Sequence, residues 1–91
     1  FYKKIFLDSE INYCLKYKNP APHFSGKFAV KESLIKSTNE KISLRQIKTS
    51  YKNSKPTVSI KKPLNKKYRF IVSISHENDI AVAVVLSEKI K

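Results

Sequence analysis

Three side chains in this 91-residue sequence have types and spacing suited to chemistry: Glu32, Lys36 and His76. Glu32 and Lys36 stand one helical turn apart within Gly26-Lys27-Phe28-Ala29-Val30-Lys31-Glu32-Ser33-Leu34-Ile35-Lys36. An i,i+4 Glu→Lys pair is by default a surface ion pair worth about 0.3–0.5 kcal/mol. The same two groups are also what phosphoryl transfer needs: a carboxylate to hold Mg²⁺ or accept a proton, and a cation to offset charge on the leaving group. His76 follows Val72-Ser73-Ile74-Ser75 at a strand end, before the turn His76-Glu77-Asn78-Asp79. Standing alone it reads as an exposed turn histidine; beside the Ser75 hydroxyl, its imidazole can hydrogen-bond a phosphate. A Ser/His nucleophile is disfavoured, because no carboxylate is placed to orient the ring and no Gly-rich elbow presents the serine.

These groups need a helix and a strand to hold them. Asp8 is a reasonable N-cap, and Ile11, Cys14, Leu15 and Tyr17 predict a short amphipathic helix over residues 9–18. Asn19-Pro20-Ala21-Pro22 breaks it, and a second helix is predicted from Pro22 to Ser37. Phe24, Phe28 and Ile35 form its apolar face, with Leu34 at the edge and Lys31 in the middle, an odd place for a lysine. Ile42 and Leu44 alternate with Ser43 and Arg45 and predict a strand. A turn at Asn53-Ser54-Lys55-Pro56 then leads into the strand Thr57–Ile60, as a hairpin. The stretch from Lys61 to Lys67 reads as a loop. Tyr68 to Ser75 alternates as a strand, and the nearly continuous apolar run from Ile80 to Leu86 predicts a strand covered on both faces. The class is α+β: two helices packed on a small antiparallel sheet, in one domain spanning residues 1–91.

The net charge of +12, from seventeen Lys and only two Arg, favours anionic partners, although Lys and Ile richness also follows from A/T-rich codons. Cys14 is the single cysteine, which excludes an intrachain disulfide and a cysteine-based metal site and suits a reducing compartment. One glycine in the whole chain excludes a P-loop and a Rossmann fingerprint. No apolar run is long enough to cross a membrane. The rival to an enzyme is a small basic RNA-binding module, but Tyr13, Tyr17, Tyr51 and Tyr68 do not line one strand face as base stacking on a sheet requires.

Two stretches occur in the order of one known family. Gly26 to Ser33 followed by Lys36 resembles the motif G-R-F-A-A-K-E-A-x-x-K. Val72 to His76, then Ala81 to Val85, resembles V-S-[IL]-[ST]-H-x-x-x-x-A-x-A-x-V. Phe1 to Ile11 and Ile42 to Ile47 are similar to two further family segments, so the likeness spans nearly the whole chain. Together they resemble the holo-acyl-carrier-protein synthases, the small phosphopantetheinyl transferases.

The resemblance implies transfer of the 4′-phosphopantetheine arm of coenzyme A to a serine of an acyl carrier protein, with Mg²⁺, releasing adenosine 3′,5′-bisphosphate, in the cytoplasm and in fatty acid biosynthesis. By position it makes Glu32 a metal ligand and possible base, and puts Lys36 at the pyrophosphate. Ser75 with His76 falls at the 3′-phosphate, and Lys27 stands where the family has a coenzyme A-binding Arg. It further implies a homotrimer with active sites between subunits, where Gly26, Ala29, Lys31 and Ser33 would meet a neighbour. The family's N-terminal strand, with a second metal-binding Asp, has no counterpart here, nor do the glycines that follow its helix. The expectation is an N-terminally truncated domain, weakly active or inactive by itself, within an active full-length protein.

Overall fold

A computed structural model describes residues 2–77 and 80–90. Helix α1 spans Asp8–Leu15 and α2 spans Ala21–Lys36. Strands β1 (Ile47–Lys52) and β2 (Lys55–Ile60) form one antiparallel hairpin, and β3 (Tyr68–Glu77) and β4 (Ile80–Lys89) a second. The α+β class and the two helices are as expected, but the sheet is two separate two-stranded ladders.

Local chemistry moved several boundaries. Leu7, not Asp8, is the N-cap of α1, because the Glu10 carboxylate accepts the Leu7 N–H at 2.8 Å and closes the first turn one residue earlier. The strand expected at Ile42–Arg45 is absent. The Gln46 side chain accepts the Ser43 N–H at 2.7 Å and winds Leu44–Gln46 into a 3₁₀ turn, so β1 begins at Ile47. The first hairpin turns on Asn53-Ser54 alone, both at positive φ (53° and 65°), so Lys55 and Pro56 belong to β2. The Tyr51↔Pro56 pair follows the turn-flanking pair Lys52↔Lys55, and ladder alternation points the missing N–H of Pro56 away from β1. A 3₁₀ turn, Leu64–Lys66, breaks the basic loop. His76 and Glu77 are strand residues paired with Ala81 and Ile80, not turn residues; Asn78 and Asp79 lie outside the described residues.

The main core joins Val30 and Leu34 of α2 to Ile42, Ile47, Ile60 and Val85, backed by Phe70, Val72 and Ile74. Burying a side chain such as Leu34 contributes about 1.5–3 kcal/mol. Phe6, Cys14 and Phe24 form a second cluster under α1. The buried face of α2 is therefore rotated from the one that apolar periodicity suggests: Phe28 is 39% exposed, while Lys27 and Lys31 are 3% and 0% exposed. Small residues let α2 lie close on the second hairpin. A Cβ on Gly26 would come within 3.1 Å of His76 Cε1, and Ser33 Oγ donates to the Ala83 carbonyl at 3.1 Å. Lower down, Ser87 Oγ donates to the Ser37 carbonyl at 2.7 Å, so α2 runs alongside β4 in the same direction.

Candidate active site

Two faces of α2 carry its charged residues, and they are built differently. On the first, Lys31 Nζ donates to Glu10 Oε1 at 2.7 Å and to the carbonyls of Ile5 and Leu44 at 2.9 and 3.0 Å. Glu10 Oε2 accepts the Thr49 N–H at 2.8 Å and the Thr49 hydroxyl at 2.6 Å. Lys27 Nζ donates to Thr49 Oγ1 at 3.1 Å and lies over the Tyr13 ring, 4.7 Å from its centroid. The chain Lys31–Glu10–Thr49–Lys27 thus ties α2 to α1 and β1. Burial raises the Glu10 carboxyl, but bonds from Lys31, Thr49 and backbone N–H groups outweigh it and hold the group below its usual range. Burial pushes both lysines below the usual lysine range, with Glu10 opposing the shift.

The expectation that Lys31 meets a neighbouring subunit is therefore corrected: its ammonium is buried and its partners lie within the chain. Gly26 and Ser33 likewise meet this chain's own β3–β4 hairpin.

On the opposite face, Glu32 is half-buried and Lys36 exposed. The default surface pairing does not form: among the described residues the ion pairs are Lys31–Glu10 and Arg69–Glu88. A cavity of about 260 Å³ opens beside Lys36, lined also by Ser37, Thr38, Ser87 and Lys89. His76 lies at the other end of the helix, against Gly26. Ten helical residues separate Gly26 from Lys36, about 15 Å of axis. The two cation-capable groups are thus too far apart to share one phosphate.

Strand alternation separates Ser75 from His76. His76 shares the α2 side of β3 with Val72 and Ile74, whereas Ser75 faces outward with Ile71 and Ser73. Lys27 does not converge with Lys36 either: nine residues make about two and a half turns, so the two leave α2 on opposite sides.

The outward face of the second hairpin is apolar and uncovered within the chain. Ile71, Ile80, Val82, Val84 and Leu86 are 53–66% exposed, and Ile71↔Leu86 is a register pair. The expectation that β4 is covered on both faces thus fails for the single chain; only its α2 side is packed.

Two residues at this end were not singled out from the sequence. Glu10 is an acid in the first turn of α1, and Lys31 on an apolar face was the signal that a buried carboxylate had to answer it. His23, one turn before Gly26, stacks on Tyr17 with centroids 3.6 Å apart. Burial, His76 and Lys27 all push it below the usual histidine range. Tyr13 stacks on Tyr51 and Tyr17 on His23, so these rings face one another across one cluster, while Tyr68 donates to Glu40 elsewhere.

Comparison with known proteins places the fold. Residues 1–85 match the model of the 4′-phosphopantetheinyl transferase superfamily. The chain belongs to that superfamily. It is 39% identical over 89 residues to the holo-[acyl-carrier-protein] synthase of Thermodesulfovibrio yellowstonii, covering 94% of this chain and 76% of that protein. A namesake from Leptospira biflexa is 36% identical over 97 residues, at the same coverage. The crystal structure of Thermotoga maritima holo-[acyl-carrier-protein] synthase superposes with a TM-score of 0.82 at 29% identity, over all of this chain. The present chain spans about half of that one, 55%. The phosphopantetheinyl transferase fold anticipated from the motifs is the fold observed. Among the described residues no helix is long and apolar enough to cross a membrane.

Proposed function

We propose that this chain is the coenzyme A-handling part of a holo-acyl-carrier-protein synthase, moving the 4′-phosphopantetheine arm from coenzyme A to a carrier-protein serine and releasing adenosine 3′,5′-bisphosphate. The observation that carries the reading is the face of α2 on which Glu32 and Lys36 stand without an ion pair among the described residues, whereas Lys31 on the other face is matched by Glu10. In this reading the serine oxygen attacks the phosphorus on the pantetheine side and the bridging P–O bond of the pyrophosphate breaks. Lys36 offsets charge on the departing phosphate of adenosine 3′,5′-bisphosphate, and Glu32 takes or orients the serine proton. His76, against Gly26 and about 15 Å along the helix from Lys36, is the group offered to the 3′-phosphate. Lys27, which the resemblance makes a coenzyme A contact, lies on the other side of α2 from Lys36, buried and bonded to Thr49.

Mg²⁺ fits this site in one way. Among the described residues no three His, Cys, Asp or Glu side chains converge, so an all-protein cage is absent. Glu32 supplies one carboxylate, and Mg²⁺ is commonly held by one or two carboxylates together with substrate phosphates. Bound there, the ion would neutralise charge on the pyrophosphate oxygens.

We infer further that three copies assemble through the exposed β3–β4 face, with sites between subunits. Support comes from the contiguous apolar patch, of the kind that marks interfaces. Ser75 lies on that patch, so it would meet coenzyme A across the subunit boundary rather than beside His76 of its own chain. A cytoplasmic role in fatty acid synthesis belongs to the same reading.

The test is melting temperature against coenzyme A with Mg²⁺. Stabilisation that Lys36→Ala and His76→Ala both abolish supports the reading. No response to coenzyme A, or an equal response in the variants, overturns it. Sedimentation of the chain and of Val84→Lys checks the assembly: a trimer that becomes monomeric is expected.

A further inference from the structure

The two hairpins lie side by side with their neighbouring edges open. Thr49 gives its N–H to Glu10 rather than to β2, so the pair Thr49↔Val58 points its backbone groups out of the first hairpin. The Val58 N–H and carbonyl therefore face away from β1, as does the Pro56 carbonyl two residues earlier. In the second hairpin Ser33 takes the Ala83 carbonyl, so the pair Ile74↔Ala83 also points outward. By alternation Phe70, Val72 and Ile74 offer N–H and carbonyl groups on the edge away from β4. Among the described residues no ladder or backbone hydrogen bond joins β2 to β3. Open edges of this kind are templates for a further strand.

These edges wall a single cavity of about 660 Å³. Val58, Phe70, Val72 and Ile74 line it, half-buried and packed on the main core, so the walls are held in place. The run from Phe70 to Ile74 gives the slot about 13 Å of strand, the span of roughly five extended residues. Lys52 and Lys55, both exposed, stand at its hairpin-turn end, and no carboxylate lines it. A slot with open backbone groups on both walls, apolar lining and unanswered lysines at one end matches an extended peptide. Main-chain bonds would hold it, alternate side chains would enter the apolar part, and acidic ones would answer the lysines.

We propose that the β2–β3 slot is a docking site for an extended acidic segment of a partner protein, bound by strand addition. The site goes beyond the transferase reading. None of Lys27, Glu32, Lys36, Ser75 and His76 lines it, and its β2 wall lies outside the apolar β3–β4 patch assigned to assembly.

The experiment follows the fluorescence anisotropy of a labelled hexapeptide of alternating Glu and Val, titrated with the chain at constant ionic strength. Saturable binding is expected. It should weaken about tenfold in Lys52→Gln/Lys55→Gln and stay unchanged in the distant pair Lys61→Gln/Lys66→Gln. The same peptide N-methylated at alternate residues should bind at least about tenfold more weakly, because one of its edges is then blocked. A peptide of alternating Lys and Val should not bind. Absence of saturation, full binding by either control peptide, no weakening in the Lys52/Lys55 pair, or equal weakening in the distant pair overturns the proposal. So does competition by coenzyme A, or dissociation of the assembly by the peptide in sedimentation, because the slot would then belong to the transferase site or the subunit boundary. Peptide binding that persists while coenzyme A fails to stabilise the chain supports this site and sinks only the transferase reading.

Discussion

The two charged faces of α2 differ in where their partners are. Lys31 is surrounded by a carboxylate and two carbonyls and is fully buried. Lys36, five residues on, is exposed, and Glu32 lies one turn before it without an ion pair between them. A buried ion needs every donor matched, or its desolvation dominates; an exposed one costs little and can wait for a ligand. The same residue type therefore serves cohesion on one face and is free for chemistry on the other. Burial, not identity, distinguishes them.

Removing Lys31 should break the cohesive face outright. Lys31→Ala leaves the Glu10 carboxylate buried without its cation, and a loss of about 3–5 kcal/mol is expected by urea denaturation. The double change Glu10→Gln, Lys31→Met should recover much of that loss; if it does not, the network is more than a matched pair. On the other face, Lys36→Ala should lower phosphopantetheine transfer about 100-fold or more while moving stability by less than about 0.5 kcal/mol. A comparable loss of stability would erase the contrast between the faces.

Gly26→Ala probes the seam between them. The added methyl would press on His76, whose side chain is exposed and able to shift, so the helix-propensity gain of up to about 1 kcal/mol should survive. Coenzyme A binding should weaken severalfold at the same time. Unchanged binding would remove His76 from the site.

Acid titration gives the smallest effect. The Glu10 carboxyl is depressed in the folded chain, so below its ordinary 4.5 the unfolded chain binds the proton first. Its contribution is present above that value and is lost as pH falls through the depressed one, and stability rises with pH across the interval. Glu10→Gln should flatten that part of the pH–stability curve. An unaltered curve would assign acid sensitivity to other carboxylates.

Much of this was legible along the chain because it is written locally. Pro20 and Pro22 open α2, alternation marks β3, and the Glu32–Lys36 spacing and the His76 stretch suffice to recognise the family motifs. Where local signals competed, the reading slipped. Ile42–Arg45 alternates like a strand, yet the Gln46 amide caps Ser43 and winds a 3₁₀ turn. What the chain could not disclose is which face of α2 turns inward. Periodicity favoured Phe28 and Ile35, but Glu10 and Thr49, 21 and 39 positions apart from their bonding partners Lys31 and Glu10, drew the lysine face into the core. A charge is stable inside only where another element brings its counter-charge. That juxtaposition exists only once α1, α2 and β1 have met, so residue types fixed the candidates and tertiary packing decided which lysines remained for a ligand.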